Sequence, residues 1–224
     1  MRIDQVEVTE QVLFPEGPAV RFSNKSILDL LPGQYLLASA QEDILPTPLF
    51  LQGREANDIL TTPNVPSHWH PGTRLLLQGP LGKGFAIPVE ARHIILAGFC
   101  DAGYRLFPLL PTTSRAGRTV TFFVDTSPPD LPKWVEVLPL DMLAENLAWA
   151  DYVALDLCET RLPEIRSHLK NAKPPTLKME VLIRTPLACG GKGDCGLCVV
   201  HTKKGLRYAC EHGPVFNWSD LVEE

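Results

Sequence analysis

Apolar positions fall along this chain in two rhythms. Up to about residue 88 they come in short runs, such as Ala19 to Phe22, Gln34 to Ala40 and Thr73 to Gln78, separated by Pro and Gly. Pro32-Gly33 and Pro71-Gly72 stand immediately ahead of two of these runs, and such dipeptides turn the chain. The pattern predicts short strands closing into a small antiparallel barrel. From about residue 91, β-type runs at His93 to Ala97, Thr119 to Val124 and Asp151 to Leu157 alternate with helix-type segments. Asp141 is placed to cap a helix running to about Trp149, and Pro163 sits in the first turn of another ending near Lys170, where proline's missing N–H costs nothing. Alternating strands and helices predict a parallel sheet.

The stretch Asn171-Ala-Lys-Pro-Pro-Thr176 has the stiffness and polarity of a boundary. The expected fold class is therefore an α+β multidomain chain. Residues 1–90 form an antiparallel β-barrel, residues 91–175 a Rossmann-like α/β domain, and residues 176–224 a small C-terminal module. No internal repeat or low-complexity tract interrupts that order.

Composition narrows the function classes. A chain of 224 residues is too long for a minimal metal carrier, so most of it has another task. Its formal net charge of -5, without a basic stripe, argues against nucleic acid as a partner. Apolar stretches such as Ile94 to Ala97 and Leu75 to Leu77 fall far short of the roughly 20 residues that cross a bilayer. The start, Met1-Arg2-Ile3-Asp4, lacks the basic and then apolar pattern of a secretory signal. A cytoplasmic location is expected.

The cysteines carry the candidate chemistry. Of six, Cys100 and Cys158 stand alone in apolar surroundings and are expected to be core residues, while four cluster near the C-terminus. They read Cys189-Gly-Gly-Lys-Gly-Asp-Cys195-Gly-Leu-Cys198, then Cys210 after a hairpin through Lys203-Lys204-Gly205. In a reducing compartment such a group points to metal before disulfides. An iron–sulfur cluster carries excess negative charge, so its loop must turn tightly and aim N–H groups inward. Gly190, Gly191, Gly193 and Gly196 permit both. The four thiols are thus the candidate ligands of a [2Fe-2S] cluster. Structural zinc is the main competing reading, although zinc ribbons usually offer two short C-x2-C knuckles and this chain has one. A disulfide framework is the third. His201 and His212 lie nearby and read as solvated loop residues rather than ligands. Lys192, Lys203 and Lys204 could steer an acidic partner.

The cysteine loop, with Cys210-Glu-His-Gly-Pro-Val-Phe216 behind it, resembles the electron-transfer subunit family of dihydroorotate dehydrogenase, a branch of the ferredoxin reductase-like flavoproteins. Gly79-Pro80-Leu81-Gly82-Lys83-Gly84-Phe85 is similar to that family's turn at the end of its barrel, and Pro32-Gly33-Gln34-Tyr35 to one of its strands. The resemblance implies a flavin-domain-like barrel, a nucleotide-domain-like α/β domain and a [2Fe-2S] segment. It also shows departures. Where the family grips FAD with a cation, an aromatic and a hydroxyl, this chain offers Thr47, Leu49 and Phe50. The family's Gly-Thr element is replaced by a Pro-rich loop holding His68 and His70, an exposed pair rather than a metal site.

The family's glycine-rich nucleotide turn is here Gly98-Phe99-Cys100-Asp101-Ala102-Gly103-Tyr104-Arg105, bulkier and carrying a carboxylate expected to repel phosphate. The first cysteine spacing is one residue longer than the family's C-x4-C. The expected function is an electron-transfer subunit of an oxidoreductase, partnered by a catalytic or flavoprotein subunit. It would relay electrons through the cluster without NAD, and FAD is disfavoured. Alternatives are an FAD-containing reductase subunit and a zinc-bearing scaffold. No acid–base or nucleophile assembly suggests a stand-alone catalyst.

Overall fold

The computed structural model describes residues 2–23, 30–55, 57–114, 117–126, 131–169, 172, 174, 176–191 and 193–222. Lys170, Asn171, Lys173, Pro175 and Lys192 lie outside them, so the expected helix end, much of the boundary stretch and one steering lysine are not described.

Six strands, β1 (Arg2–Phe14), β2 (Gly17–Ser23), β3 (Tyr35–Ser39), β4 (Thr47–Glu55), β5 (Asp58–Thr61) and β6 (Arg74–Leu81), close into an antiparallel barrel in the order β1-β2-β5-β4-β3-β6. Alternation along β6, with Leu75 and Leu77 buried between exposed Arg74 and Leu76, shows how the pleat sorts side chains. The barrel interior holds Val8, Phe22, Leu36, Leu49, Ile59 and Trp69. Trp69 donates its indole N–H to Asp43 Oδ2 at 3.0 Å, and His68 Nε2 lies 2.7 Å from Asp43 Oδ1. His70 hydrogen-bonds locally to Thr73. This histidine pair therefore anchors a loop.

The second half begins with β7 (His93–Gly98), then a 3-10 turn (Tyr104–Leu109) running into α1 (Leu110–Thr113). There follow β8 (Thr119–Phe123), β9 (Glu136–Leu138), α2 (Leu143–Asn146), β10 (Tyr152–Cys158), α3 (Leu162–Leu169) and β11 (Lys178–Arg184). The C-terminal part adds the hairpin β12 (Val199–Thr202) and β13 (Gly205–Tyr208), the single turn α4 (Ala209–His212) and β14 (Val215–Asn217). The sheet order is β14-β11-β10-β7-β8-β9, parallel except for β14. Lys178–Arg184 and Val215–Asn217 thus belong to this sheet, and one apolar core runs from Val153 and Leu155 through Val181 to Cys198, Cys210 and Trp218. The topological switch point, where consecutive connections leave to opposite sides, lies between β7 and β10.

Two expectations are corrected. Asp141 is no cap: it lies inside a 3-10 turn (Leu140–Met142) whose N-cap is Pro139, and the segment to Trp149 breaks into 3-10, α and 3-10 pieces. Cys100 and Cys158 do not stand alone, because β7 and β10 run side by side in register and bring their ends together.

Candidate iron–sulfur centre

The three motifs that carry the resemblance meet in space. The turn after β6, the loop before β3 and the segment after Cys210 are knitted together by backbone hydrogen bonds, Phe85 N–H to the Pro32 carbonyl (2.8 Å) and Lys83 N–H to the Gly213 carbonyl (2.5 Å). The packing leaves no room for side chains. A Cβ on Gly82, whose φ is +74°, would sit 2.6 Å from the Gly213 oxygen, and one on Gly33 would sit 2.7 Å from Val215. Glycine is required there both for its backbone freedom and for its lack of bulk.

This junction seats the cysteine loop. Cys189 follows β11 and is half-buried, Cys195 is exposed, and Cys198 and Cys210 are buried. Cys198 is fixed by the start of β12 and by its carbonyl accepting the Ala209 N–H at 2.7 Å. Cys210 sits in α4, and its Sγ lies 3.4 Å from that of Cys198. The loop between Cys189 and Cys198 folds over them. Gly191 adopts a φ of +76°, and a Cβ there would approach the Tyr35 hydroxyl at 3.4 Å and Cys210 Cβ at 4.0 Å.

Electrostatics show that the thiols share a neighbourhood. Burial pushes the Cys210 thiol up to about 12, with the hydrogen bond and charge of Cys198 adding to it and the Gly193 N–H opposing. Tyr35, whose hydroxyl donates to the Cys210 carbonyl at 3.3 Å, is held well above its ordinary value. Burial is the main cause, followed by Cys210, Cys198 and Cys189 in that order. The buried Cys210 thiol resists ionising alone; a metal centre supplies the positive charge that lets a thiol bind as thiolate.

The donor set fits a thiolate-ligated centre, with an inward N–H at Gly193 and a glycine-rich cover. Among the described residues, no three His, Cys, Asp or Glu side chains are already closed into a metal-binding group. The structure gathers Cys198 and Cys210 tightly and Cys189 beside them, and leaves Cys195 at the exposed end of the loop. His201 is exposed, and His212 lies 3.4 Å from Arg207 Nη1. Lys203 and Lys204 are exposed on the β12–β13 turn.

Between barrel and sheet lies a crevice of about 180 Å³, lined among others by Tyr35, Thr47, Phe50, Arg105, Arg184 and Pro214. Tyr35 and Phe50, partners across β3 and β4, pack with ring centroids 5.7 Å apart. The Arg105 guanidinium, delivered from the α/β side, covers the Phe50 ring at 5.3 Å. Behind it is a buried ion network. Asp101 Oδ2 accepts from Arg105 Nη1 and Arg184 Nη1, each at 2.8 Å, and Asp101 Oδ1 accepts the Gly103 N–H at 2.8 Å. Asp156 Oδ1 lies 3.1 Å from Arg184 Nε. Burial would raise Asp101, but Arg105, Arg184 and the Gly103 N–H outweigh it and hold the carboxyl below its usual range. Asp156, wholly buried, stays above that range because burial outweighs the two arginines.

Residues 185–222 match the model of the iron-sulfur cluster binding domain of dihydroorotate dehydrogenase B. Over 96% of both chains the sequence is also 26% identical to the electron transfer subunit of dihydroorotate dehydrogenase B (NAD(+)) from Clostridium acetobutylicum. The chain is thus similar to the dihydroorotate dehydrogenase B electron-transfer subunits, in its C-terminal segment and along its length. Solved structures agree on the fold. A chain of the NADH-dependent reduced ferredoxin-NADP oxidoreductase superposes with a TM-score of 0.75 at 16% identity, covering 97% of this chain and 89% of that one. The ferredoxin-NADP+ reductase of Plasmodium falciparum (H286L mutant) gives 0.61 at 9% identity, covering 80% and 95%.

Against that family the departures acquire geometry. Leu49 points into the barrel core and Phe50 into the contact with the α/β half, so neither presents a polar group to a flavin. Ligand pockets of roughly 300–1,000 Å³ are usual, and the crevice at this place is smaller. The family's flavin contacts are not reproduced at these positions, although Tyr35 and Thr47 line the crevice. At the family's nucleotide turn, Asp101 does not face outward as a free repelling charge, which corrects that expectation: it is consumed by two arginines, and the ion network packs the turn against β10 and β11. Sequence reading missed Arg105, Arg184 and Tyr35 as parts of this arrangement. Asp156 was the legible clue, a lone carboxylate within the buried strand Tyr152–Leu157 that demands a cationic partner.

Proposed function

We propose that the chain is the iron–sulfur electron-transfer subunit of an oxidoreductase complex, with Cys189, Cys195, Cys198 and Cys210 holding a [2Fe-2S] cluster and with no NAD site of its own. The observation that carries this reading is the convergence of buried Cys198 and Cys210 beneath a glycine loop, at the point where barrel and sheet join. When bound, the cluster supplies a one-electron couple. The chain's own residues do the rest. The Gly193 N–H points at the Cys210 sulfur, the Tyr35 hydroxyl holds the Cys210 carbonyl, and Gly191 packs beside both residues. Cys195, at the solvent end, marks the side from which electrons pass to a partner.

The partner is a catalytic or flavoprotein subunit. The Clostridium relative is named for dihydroorotate dehydrogenase B, and that complex is the first candidate, although a scaffold can be reused. The working division is residues 1–90, barrel; 91–175, α/β domain; 176–224, cluster module, of which β11 and β14 join the central sheet while β12 and β13 form a hairpin of their own. A cytoplasmic location is proposed with it, and no helix among the described residues is long and apolar enough to cross a membrane. The competing reductase reading has one observation behind it, the crevice beside Tyr35 and Phe50. Anaerobic addition of NADH separates the two. The proposal expects the visible spectrum to bleach with dithionite and to stay unchanged with NADH; bleaching by NADH, with yellow flavin released on denaturation, would establish the reductase instead.

A further inference from the structure

We infer that Cys100 and Cys158 form a second redox site, a reversible disulfide that exchanges two electrons with dithiols at the switch point of the sheet. The site shares no residue with the cluster loop. Gly98 of β7 pairs with Asp156 of β10, so two residues on, past the end of the ladder, Cys100 meets Cys158. Their Cα atoms are 6.2 Å apart and the sulfurs are bonded across 58 residues of chain, a separation within the range that disulfides span.

Three features distinguish this pair from an inert core cystine. Both cysteines are half-buried rather than sealed, so an attacking thiolate has access. They lie at the carboxyl ends of two parallel strands on either side of the switch point, the crevice where this class of sheet receives its ligands. Their surroundings also differentiate the sulfurs. The Cys158 N–H donates to Cys100 Sγ at 2.8 Å, and the Arg161 guanidinium donates to the carbonyl of Phe99, next to Cys100, at 3.1 Å. The N–H favours negative charge on Cys100 and makes it the better leaving thiolate; Arg161 adds less, because Glu164 holds the same guanidinium at 2.8 and 3.1 Å.

The exchange follows from that asymmetry. One thiolate of a dithiol attacks Cys158 Sγ, forming a mixed disulfide, and the bond to Cys100 breaks with the electron pair going to Cys100 Sγ. The second thiol of the reductant then attacks its own linked sulfur, releasing Cys158 and a cyclic disulfide. The protein gains two electrons and two protons, and the dithiol loses the same. The oxidised form ties the Gly98–Gly103 turn to β10; the reduced form leaves it held by the Phe99 N–H to Asp156 carbonyl bond (2.9 Å) and by Asp101.

The test uses the full chain with its metal centre, purified without oxygen. Native protein is exposed to excess reduced dithiothreitol or to oxidised glutathione and alkylated, and the peptides holding Cys100 and Cys158 are weighed. Both should be alkylated after dithiol and neither after oxidised glutathione, so the two peptides are recovered linked to each other in the oxidised form and separately, each with one added alkyl group, in the reduced form. Cys100→Ser should retain glutathione on Cys158. A bond that resists dithiol until the chain unfolds, or thiols that stay alkylable under both conditions, would overturn the inference. Iron analysis of the same samples reads the cluster proposal independently, since its cysteines lie in other peptides.

Discussion

The cysteine loop and the crevice between β7 and β10 have been built in opposite ways. At the loop, side chains have been removed. Glycines with positive φ let the backbone itself surround two buried thiols that are 3.4 Å apart. At the crevice, side chains have been added. Two aspartates, two arginines and a cystine fill the turn that a nucleotide phosphate would otherwise approach. Around the thiols space and N–H groups are left open, whereas at the crevice internal partners satisfy the polar groups of the turn. Arg105 makes the point, because one guanidinium both closes the network and covers the Phe50 face of the barrel.

That contrast can be broken from either side. The largest effect is expected from Cys198→Ser, which removes a buried thiol beside Cys210. Iron per chain should fall from about two to near zero, while Arg105→Ala should leave iron unchanged, as elemental analysis will show. Arg105→Ala should instead destabilise the fold by about 3–5 kcal/mol in denaturant titration, because Asp101 and Asp156 lose a buried partner. Gly82→Ala tests the seam joining the two halves. Its Cβ would overlap the Gly213 oxygen at a backbone φ of +74°, and a loss of about 2–4 kcal/mol is expected from strain and crowding together.

The smallest of these effects is a pH dependence. A carboxyl held below its ordinary pKa adds stability that is complete above the unfolded value and disappears as pH falls through the folded one. Asp101 is such a group. Asp101→Asn should cost about 1.5–3 kcal/mol at neutral pH, and the difference from wild type should shrink as the solution is taken below about pH 4. A difference that stayed constant with pH would show that Asp101 acts through shape alone.

How much of this was legible in the sequence differs by region. Pro-Gly punctuation marked the barrel turns, and the cysteine spacing with its glycines marked the loop, because local backbone demands write themselves into local residues. β1 was legible and overlooked: Val6 and Val8 alternate with Gln5, Glu7 and Thr9 in a strand of 13 residues. β11 was hidden by its place after a proline-rich stretch, which made Lys178–Arg184 read as part of the terminal module. The ion network was legible only in pieces: Asp101 and Arg105 stand four residues apart and Asp156 asks for a cation, but Asp156 and Arg184 join the first pair only when β7, β10 and β11 align. The Cys100–Cys158 pair was missed for the same reason, as 58 residues separate its members.

The most direct test of the account is the content of chain purified without oxygen: iron, acid-labile sulfide, zinc and flavin, with the electron paramagnetic resonance spectrum after reduction. About two irons and two sulfides per chain, a signal from the reduced cluster and no stoichiometric flavin are predicted. Zinc without sulfide, from protein never exposed to air, would contradict it.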